Sequence, residues 1–375
     1  MEKGITLRKD GRYCATVQYN GERHFIFGKS PQEVKKKRDD LRYELEHGIY
    51  CKPEKMTVAS WFETWMKEYK GKQIKPTTAQ RYRSAYDKHI SPTLGKMKIG
   101  NVTSHIIQKE LNSMQDKGII GTARIVYIIL HEMFDRALKN ELIPKNPMLA
   151  VSMPKAERKA ADEKRVLSKE EQQTFIEYAA GSTYYDLYIT MLQSGMRINE
   201  ACGLEWSSVD FKKHEIHVKG TLNYIRGKAR YIGSPKSKTS RRTIPLLPEV
   251  EKILKGRRKK QLEERMMLGK DYKEEKGLED IVFTYPEGGA FWDEAVRVDL
   301  KAIVSKIQID FPAFEPITPH TLRHTFATRA AESGMPLQVL KTILGHSSLA
   351  MTADLYSHVL PDTKHEEMQK LIAYF

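Results

Sequence analysis

Three cysteines, Cys14, Cys51 and Cys202, stand far apart in 375 residues. They are too few and too scattered for a disulfide framework, and no paired-cysteine metal motif exists. A reducing, cytosolic compartment is the simplest expectation. No run of about eighteen apolar residues occurs, and a mean hydropathy of −0.56 argues against a membrane protein. The opening MEKGITLRKDGRY has no apolar core of the signal-peptide kind. Internal repeats and low-complexity tracts are also missing, which sets repeat architectures aside.

What is abundant is positive charge. The chain has 63 Lys and Arg against 48 Asp and Glu, a net charge of +15 and a pI near 9.4. Residues 1–155 hold 29 basic against 17 acidic side chains, whereas residues 156–375 hold 34 against 31. The excess lies in the front of the chain, where a polyanion would be gripped. Plain solubility is the competing meaning. No amphipathic basic helix flanks a lipid-like stretch, so a membrane surface fits less well.

The length allows two or three domains. Residues 1–28 read as three short strands, with Asp10-Gly11 and Asn20-Gly21 as turn signals. Tyr13, Ala15, Val17 and Tyr19 share one face, and Phe25 and Phe27 share a face of the third strand. Ser30-Pro31 opens a helix with Glu33 as a capping-box partner, striped by Val34, Leu41 and Leu45 and ended by Gly48. Such a sheet can enter a DNA groove or serve as a protein-interaction module. Residues 56–152 carry the apolar spacing of a helical bundle. Helices are expected from Thr57, from Pro76-Thr77, from Thr103 and from about Thr122, with breaks at Pro92 and Gly95. Lys70, Lys72, Lys75, Arg81 and Arg83 crowd one junction as phosphate contacts or as a solvated face. Residues 153–166 read as a charged linker. A third domain, 167–375, starts at the capping box Ser168–Glu171. It is expected to be mainly helical, with residues 214–219, 230–232 and 242–246 in one small antiparallel sheet. Residues 251–279 are densely charged and read as a helix broken at Gly269. The expected fold class is therefore multidomain α+β.

The stretch from Thr318 to His358 gathers the chemistry. Thr318 is the expected N-cap and Pro319 the first residue of a helix on which His320 and Arg323 share a face. Gly334 and Gly345 divide this helix from two more. His346 follows Gly345, and Tyr356 comes ten residues later. A phenol, two imidazoles and a fixed cation fit a nucleophile with groups that handle phosphate charge. His320 and His324 at i, i+4 also suit zinc in principle, but no Glu follows His320. Two further boxes lie upstream. In Ser-Gly-Met-Arg-Ile-Asn-Glu, Arg197 offers a planar fork for phosphate oxygens and Glu200 can orient a catalytic side chain. Alone, that pair is commonly a surface ion pair. In Ser-Pro-Lys-Ser-Lys-Thr-Ser-Arg-Arg-Thr-Ile-Pro-Leu, a basic turn leads into a strand.

Together these boxes resemble the tyrosine recombinase family of phage-type integrases, most closely those of conjugative transposons. The resemblance spans most of residues 168–360. It implies six catalytic residues: Arg197, Lys236 (with Lys238 as the alternative), His320, Arg323, His346 and the nucleophile Tyr356. Ser208 departs from the acidic residue common in the family. The resemblance further implies strand cleavage and rejoining through a 3′-phosphotyrosine, with no metal, nucleotide or other cofactor. Residues 1–55 would bind arm-type DNA sites, residues 56–152 and the catalytic domain would clamp the core site, and a homotetramer would form on double-stranded DNA. The tail, with Met368, Leu371, Ile372 and Phe375 at helical spacing, would dock on a neighbouring subunit or on its own domain. An excision (directionality) factor and a host DNA-bending protein are implied partners, and a bacterial cytoplasmic, nucleoid-associated location follows. A type IB topoisomerase and a catalytically silent DNA-binding regulator are the competing functions.

Overall fold

The structure is a computed structural model and describes residues 4–46, 56–153, 165–225, 227, 229–234 and 238–356. Gly48, Cys51, most of the expected linker, Lys236, His358 and the tail from Met368 to Phe375 lie outside the described residues. The chain divides into two compact units, residues 1–158 and 159–375. No helix among the described residues is long and apolar enough to cross a membrane.

The first unit opens with an antiparallel sheet in the order β1 (Ile5–Leu7), β2 (Tyr13–Tyr19), β3 (Glu22–Gly28). Asn20 and Gly21 both take positive φ, 44° and 83°, the backbone that a two-residue hairpin turn needs. Alternation then decides the faces. Ala15 pairs with Ile26, and both are buried with Ile5 and Val17 beneath α1 (Pro31–Glu46), which contributes Val34 and Leu45. Phe25 and Phe27 lie on the opposite phase, where Phe25 is exposed. The guanidiniums of Arg8 and Arg12 stand 5.3 and 5.5 Å from the Phe27 ring centre. At the start of α1 the Ser30 hydroxyl accepts the Glu33 N–H at 3.2 Å. The Glu33 carboxylate takes the N–H of Lys29 at 2.8 Å, one residue earlier than a capping box predicts.

The helical remainder of this unit contains α2 (Val58–Thr64), α3 (Pro76–Ala85), α4 (Ser91–Leu94), α5 (Ser104–Asp116) and α6 (Ile120–Lys139). Helix α2 continues into a π-helical turn at Trp65–Lys70, and another at Tyr86–Ile90 links α3 to α4. The break expected at Pro92 therefore does not occur. Pro92 falls in the first turn of α4, where no intrahelical N–H is required, and the wide turn before it absorbs the change of register. Trp61, Phe62, Ile107, Leu111, Ile129 and Phe134 form the buried centre. The Trp61 indole donates to the Met133 carbonyl at 3.0 Å.

In the second unit, α7 (Lys169–Ala179) starts at the reciprocal Ser168–Glu171 cap. It is followed by α8 (Tyr185–Ser194) and α9 (Ile198–Cys202). Strands β4 (Val209–Asp210), β5 (Glu215–Val218), β6 (Thr221–Asn223), β7 (Tyr231–Gly233) and β8 (Arg242–Pro245) come next. They form two ladders rather than the single sheet expected: β4-β5-β8 and β6-β7. Gly220 marks the change, because a Cβ there would meet the Ile232 Cγ2 at 2.3 Å. Helix α10 (Pro248–Leu268) ends at Gly269, which takes φ 48°. The hairpin of β9 (Thr284–Tyr285) and β10 (Gly288–Ala290) precedes α11 (Asp293–Asp310), α12 (Pro319–Glu332), α13 (Leu337–Leu344) and α14 (Ala350–Tyr356). The unit is mainly helical with small antiparallel sheets, in keeping with the expected class.

The start of α12 is set by a reciprocal cap. The Thr318 hydroxyl accepts the Thr321 N–H at 3.3 Å, and the Thr321 hydroxyl accepts the Thr318 N–H at 3.0 Å. Replacing Thr318 with Ala is expected to cost about 1 kcal/mol in urea unfolding. An unchanged midpoint would show that Pro319 alone sets the start of this helix.

Candidate active site

Helix α8 ends on Gly195 in the left-handed conformation, φ 63° and ψ 18°. The chain then turns extended at Arg197, which caps the start of α9. The Glu200 carboxylate receives the Arg197 N–H at 2.9 Å and its guanidinium Nη1 at 2.7 Å. From the other side, Nη2 of Arg242 donates to the same carboxylate at 2.8 Å. The Arg242 and Glu200 side chains are 1 % and 2 % exposed, against 34 % for that of Arg197. Burial alone would push the Glu200 carboxyl upward. The Arg242 hydrogen bond and the charges of Arg242 and Arg197 outweigh it and hold the group down at about 2. Arg242 also donates through Nε to the Ile343 carbonyl and through Nη1 to Ser240.

Arg323 is buried in α12 and donates Nη1 to the Gly195 carbonyl at 2.6 Å and Nη2 to the Leu344 carbonyl at 2.7 Å. Those carbonyls lie at the C-terminal ends of α8 and α13, where helix dipoles are negative. Gly345, left-handed at φ 66°, follows Leu344. A Cβ there would meet the Arg242 Cδ at 3.0 Å and the Thr239 carbonyl at 3.1 Å. Gly195 is more tightly enclosed: a Cβ would lie 2.5 Å from Phe326 and 2.9 Å from Leu344. Burial, then the charges of Arg197 and Arg242, lower the Arg323 pKa to about 9.

The two imidazoles sit in this cationic field. His346 places Nδ1 2.9 Å from the Thr352 hydroxyl. Burial, followed by Arg323, Arg197, His324 and Arg242, lowers its pKa to about 4. His320 keeps an exposed face. Desolvation by the surrounding protein, then Arg323, Arg297 and Arg197, lowers its basicity as well. Both rings are thus neutral at physiological pH. The His320 and His324 rings lie edge to face with centres 6.3 Å apart. Among the described residues, no group of three His, Cys, Asp or Glu is placed to hold a metal ion.

Of the six residues singled out in the sequence, the structure brings Arg197, His320, Arg323 and His346 into one electrostatic cluster. Tyr356 is the last residue of α14. Lys236 lies outside the described residues, and Lys238 begins a short 3-10 turn before β8. Sequence reading missed Arg242 as part of the site. The signal was present, because Arg242 and Ile244 share the inward phase of β8, and an inward arginine needs a buried partner. Thr352 was also missed, and no spacing rule points to it.

The model of the phage integrase family matches residues 165–362, and that of the phage integrase N-terminal SAM-like domain matches residues 57–115. A tyrosine recombinase XerC-like protein of Caldanaerobacter subterraneus is 28 % identical, the match covering 99 % of each chain. The transposase from transposon Tn916 of Enterococcus faecalis is 24 % identical, over 99 % of this chain and 94 % of its own. The integrase of transposon Tn1549, solved in complex with transposon right end DNA, superposes with a TM-score of 0.69 at 26 % identity. That match covers 84 % of this chain and all of the solved one.

Glu200→Gln leaves two guanidiniums around a neutral amide. It is expected to cost about 3–5 kcal/mol in urea unfolding at pH 7, the usual result of breaking a buried pair. A carboxyl depressed in the folded state contributes stability above its unfolded pKa, about 4.3. The gap between wild type and variant should therefore close as the pH falls from there toward about 2. A gap independent of pH would mean that the charge of Glu200 is not what stabilises the fold.

Proposed function

The chain belongs to the phage integrase family of tyrosine recombinases, and from that premise we propose that it integrates and excises a mobile DNA element by Tyr356-mediated strand exchange. The phenolic oxygen of Tyr356 attacks the phosphorus of a backbone phosphodiester. The P–O5′ bond breaks, leaving a 3′-phosphotyrosine and a free 5′ hydroxyl. The incoming 5′ hydroxyl of another strand reverses the step, so the bond energy is kept and no ATP is required. Arg197 and Arg323 neutralise the charge of the pentacoordinate transition state. Lys236, or Lys238 in its place, donates a proton to the leaving 5′ oxygen. His320 accepts the phenolic proton, a task for which its lowered basicity keeps the ring neutral and available. His346 donates to a non-bridging phosphate oxygen.

The observation that carries this reading is the pair of bonds from Arg323 to the Gly195 and Leu344 carbonyls. Those carbonyls lie two residues from Arg197 and from His346, so one buried cation holds both segments that would face the phosphate. The similarity to the Tn916 transposase and the DNA-bound Tn1549 integrase supports double-stranded DNA as substrate and a mobile element as its source. Residues 1–55 take the arm-type sites through the sheet face bearing Phe25 and Phe27. Residues 56–152 and 167–375 hold the core site, with 153–166 as the linker. Four strand cleavages per exchange call for a homotetramer on DNA. An excision factor and a host DNA-bending protein would set the direction, in a bacterial cytoplasm at the nucleoid.

A nicked suicide substrate carrying the element's own core site tests the proposal. An SDS-resistant protein–DNA adduct is expected with wild type, in chelator as well as without it, and none with Tyr356→Phe. An undiminished adduct in that variant would falsify the assignment of the nucleophile. Arg197→Ala is expected to slow adduct formation about 10²–10³-fold. Products that have only relaxed, with no exchange of partners, would instead favour a topoisomerase.

A further inference from the structure

Thr352 is fully buried in α14, and the mechanism above gives it no task. Its hydroxyl makes one hydrogen bond among the described residues, 2.9 Å to Nδ1 of His346. Either atom can in principle supply the proton, and the two choices leave opposite chemistry at the far side of the ring. If Nδ1 carries the proton, Nε2 is a lone pair and cannot donate to phosphate. If the hydroxyl donates to Nδ1, the ring proton must sit on Nε2.

Burial decides between them. A hydroxyl proton sealed from water and left without an acceptor costs about 1–3 kcal/mol, whereas an idle lone pair on its oxygen is tolerated more readily. The donor side of the Thr352 hydroxyl is therefore the one that has to be satisfied, and Nδ1 is the acceptor in reach. The ring has a lone pair to offer there, because burial and then the charges of Arg323, Arg197 and Arg242 disfavour a second proton.

We propose that Thr352 is a positioning residue that locks His346 as the Nε2–H tautomer, leaving Nε2 as the donor for a non-bridging phosphate oxygen. The tautomer stands on the hydrogen-bond geometry, the burial of Thr352 and the neutrality of the ring, and its use in phosphate contact rests on the function proposed above. The same bond has a second consequence. Thr352 lies four residues before Tyr356 in one helix. The donor form of His346 is therefore set only while the helix carrying the nucleophile is seated. Displacing α14 frees Nδ1, and the two tautomers then mix.

Long-range 1H–15N correlation spectra of the full-length chain, labelled with 15N-histidine, read the tautomer directly, with His346→Gln supplying the assignment. Wild type is expected to show an Nε2–H pattern at His346, Thr352→Val a mixture of tautomers, and Thr352→Ser a return to the wild-type pattern. On the suicide substrate, Thr352→Val should cleave about tenfold more slowly, and Thr352→Ser should recover most of that loss. An Nδ1–H pattern in wild type overturns the proposal whether or not the valine variant folds. An unchanged tautomer in a folded Thr352→Val chain overturns it equally. An Nε2–H tautomer in a protein that never forms an adduct would leave Thr352 its role and remove the recombinase reading instead.

Discussion

Glu200 lies buried between two guanidiniums, Arg197 from its own helix and Arg242 from β8. Removing a carboxylate from water is costly, and an isolated one would take up a proton rather than remain charged. Two cations reverse that outcome and keep Glu200 ionised. The arrangement also constrains everything attached to it. Arg242 has donors left after meeting Glu200, and it sends them to the Ile343 and Ser240 carbonyls. One buried charge cluster thereby pins α9, β8 and the end of α13 together. Hydrophobic packing around Leu204, Ile216 and Ile244 supplies the bulk of the cohesion. It cannot fix register between these elements as an ion pair of defined geometry can.

Arg323 extends the same logic with dipoles in place of a carboxylate. Its two contacts are the carbonyl ends of α8 and α13, groups left without intrahelical partners at a helix terminus. Both helices must stop sharply for those carbonyls to be free. Gly195 and Gly345 provide the stops by taking positive φ. The crowding of Gly195 against Phe326 and Leu344 shows why the terminus can come so close to α12 and α13. Gly345, which reads as a helix end in the sequence, and Gly195 thus also create the seat of an arginine.

Much of this was legible in the chain. The Asn20-Gly21 turn, the Ser168 and Thr318 caps and the glycines at 334 and 345 are local signals, and local backbone preferences produced elements near the expected places. The His-x-x-Arg and Leu-Gly-His boxes located His320, Arg323 and His346. What sequence reading lost depends on the third dimension. Pro92 reads as a break, yet a π-helical turn before it carries the helical path onward. Strand β7 reads as a member of one sheet with β5 and β8, yet it pairs with β6, which the sequence did not single out, where Gly220 lets the chain step out of the first ladder. Residues 280–317 were assigned no elements from the sequence, although Val296, Leu300, Ile303, Val304 and Ile307 lie at helical spacing in α11 and the positive-φ pair Gly288 and Gly289 makes the tight hairpin before it. Thr352 matters through a single hydrogen bond to a residue on the preceding loop, and nothing in spacing or composition encodes that.

The charge count around the site ties these parts to the proposed chemistry. Arg197, Arg242 and Arg323 bring three positive charges, Glu200 returns one negative, and His320 and His346 are held neutral. The surplus of two matches the roughly two negative charges that a singly charged phosphodiester reaches at the pentacoordinate transition state. Without Glu200, three clustered guanidiniums would repel one another in a poorly solvated interior. With more than one carboxylate, the pull on phosphate would be spent within the protein. The lowered basicity of the two histidines follows first from desolvation and then from the same field, which disfavours a second proton on either ring. General-base work by His320 and hydrogen-bond donation by His346 therefore do not need separate tuning. Both are consequences of desolvated rings placed beside clustered arginines.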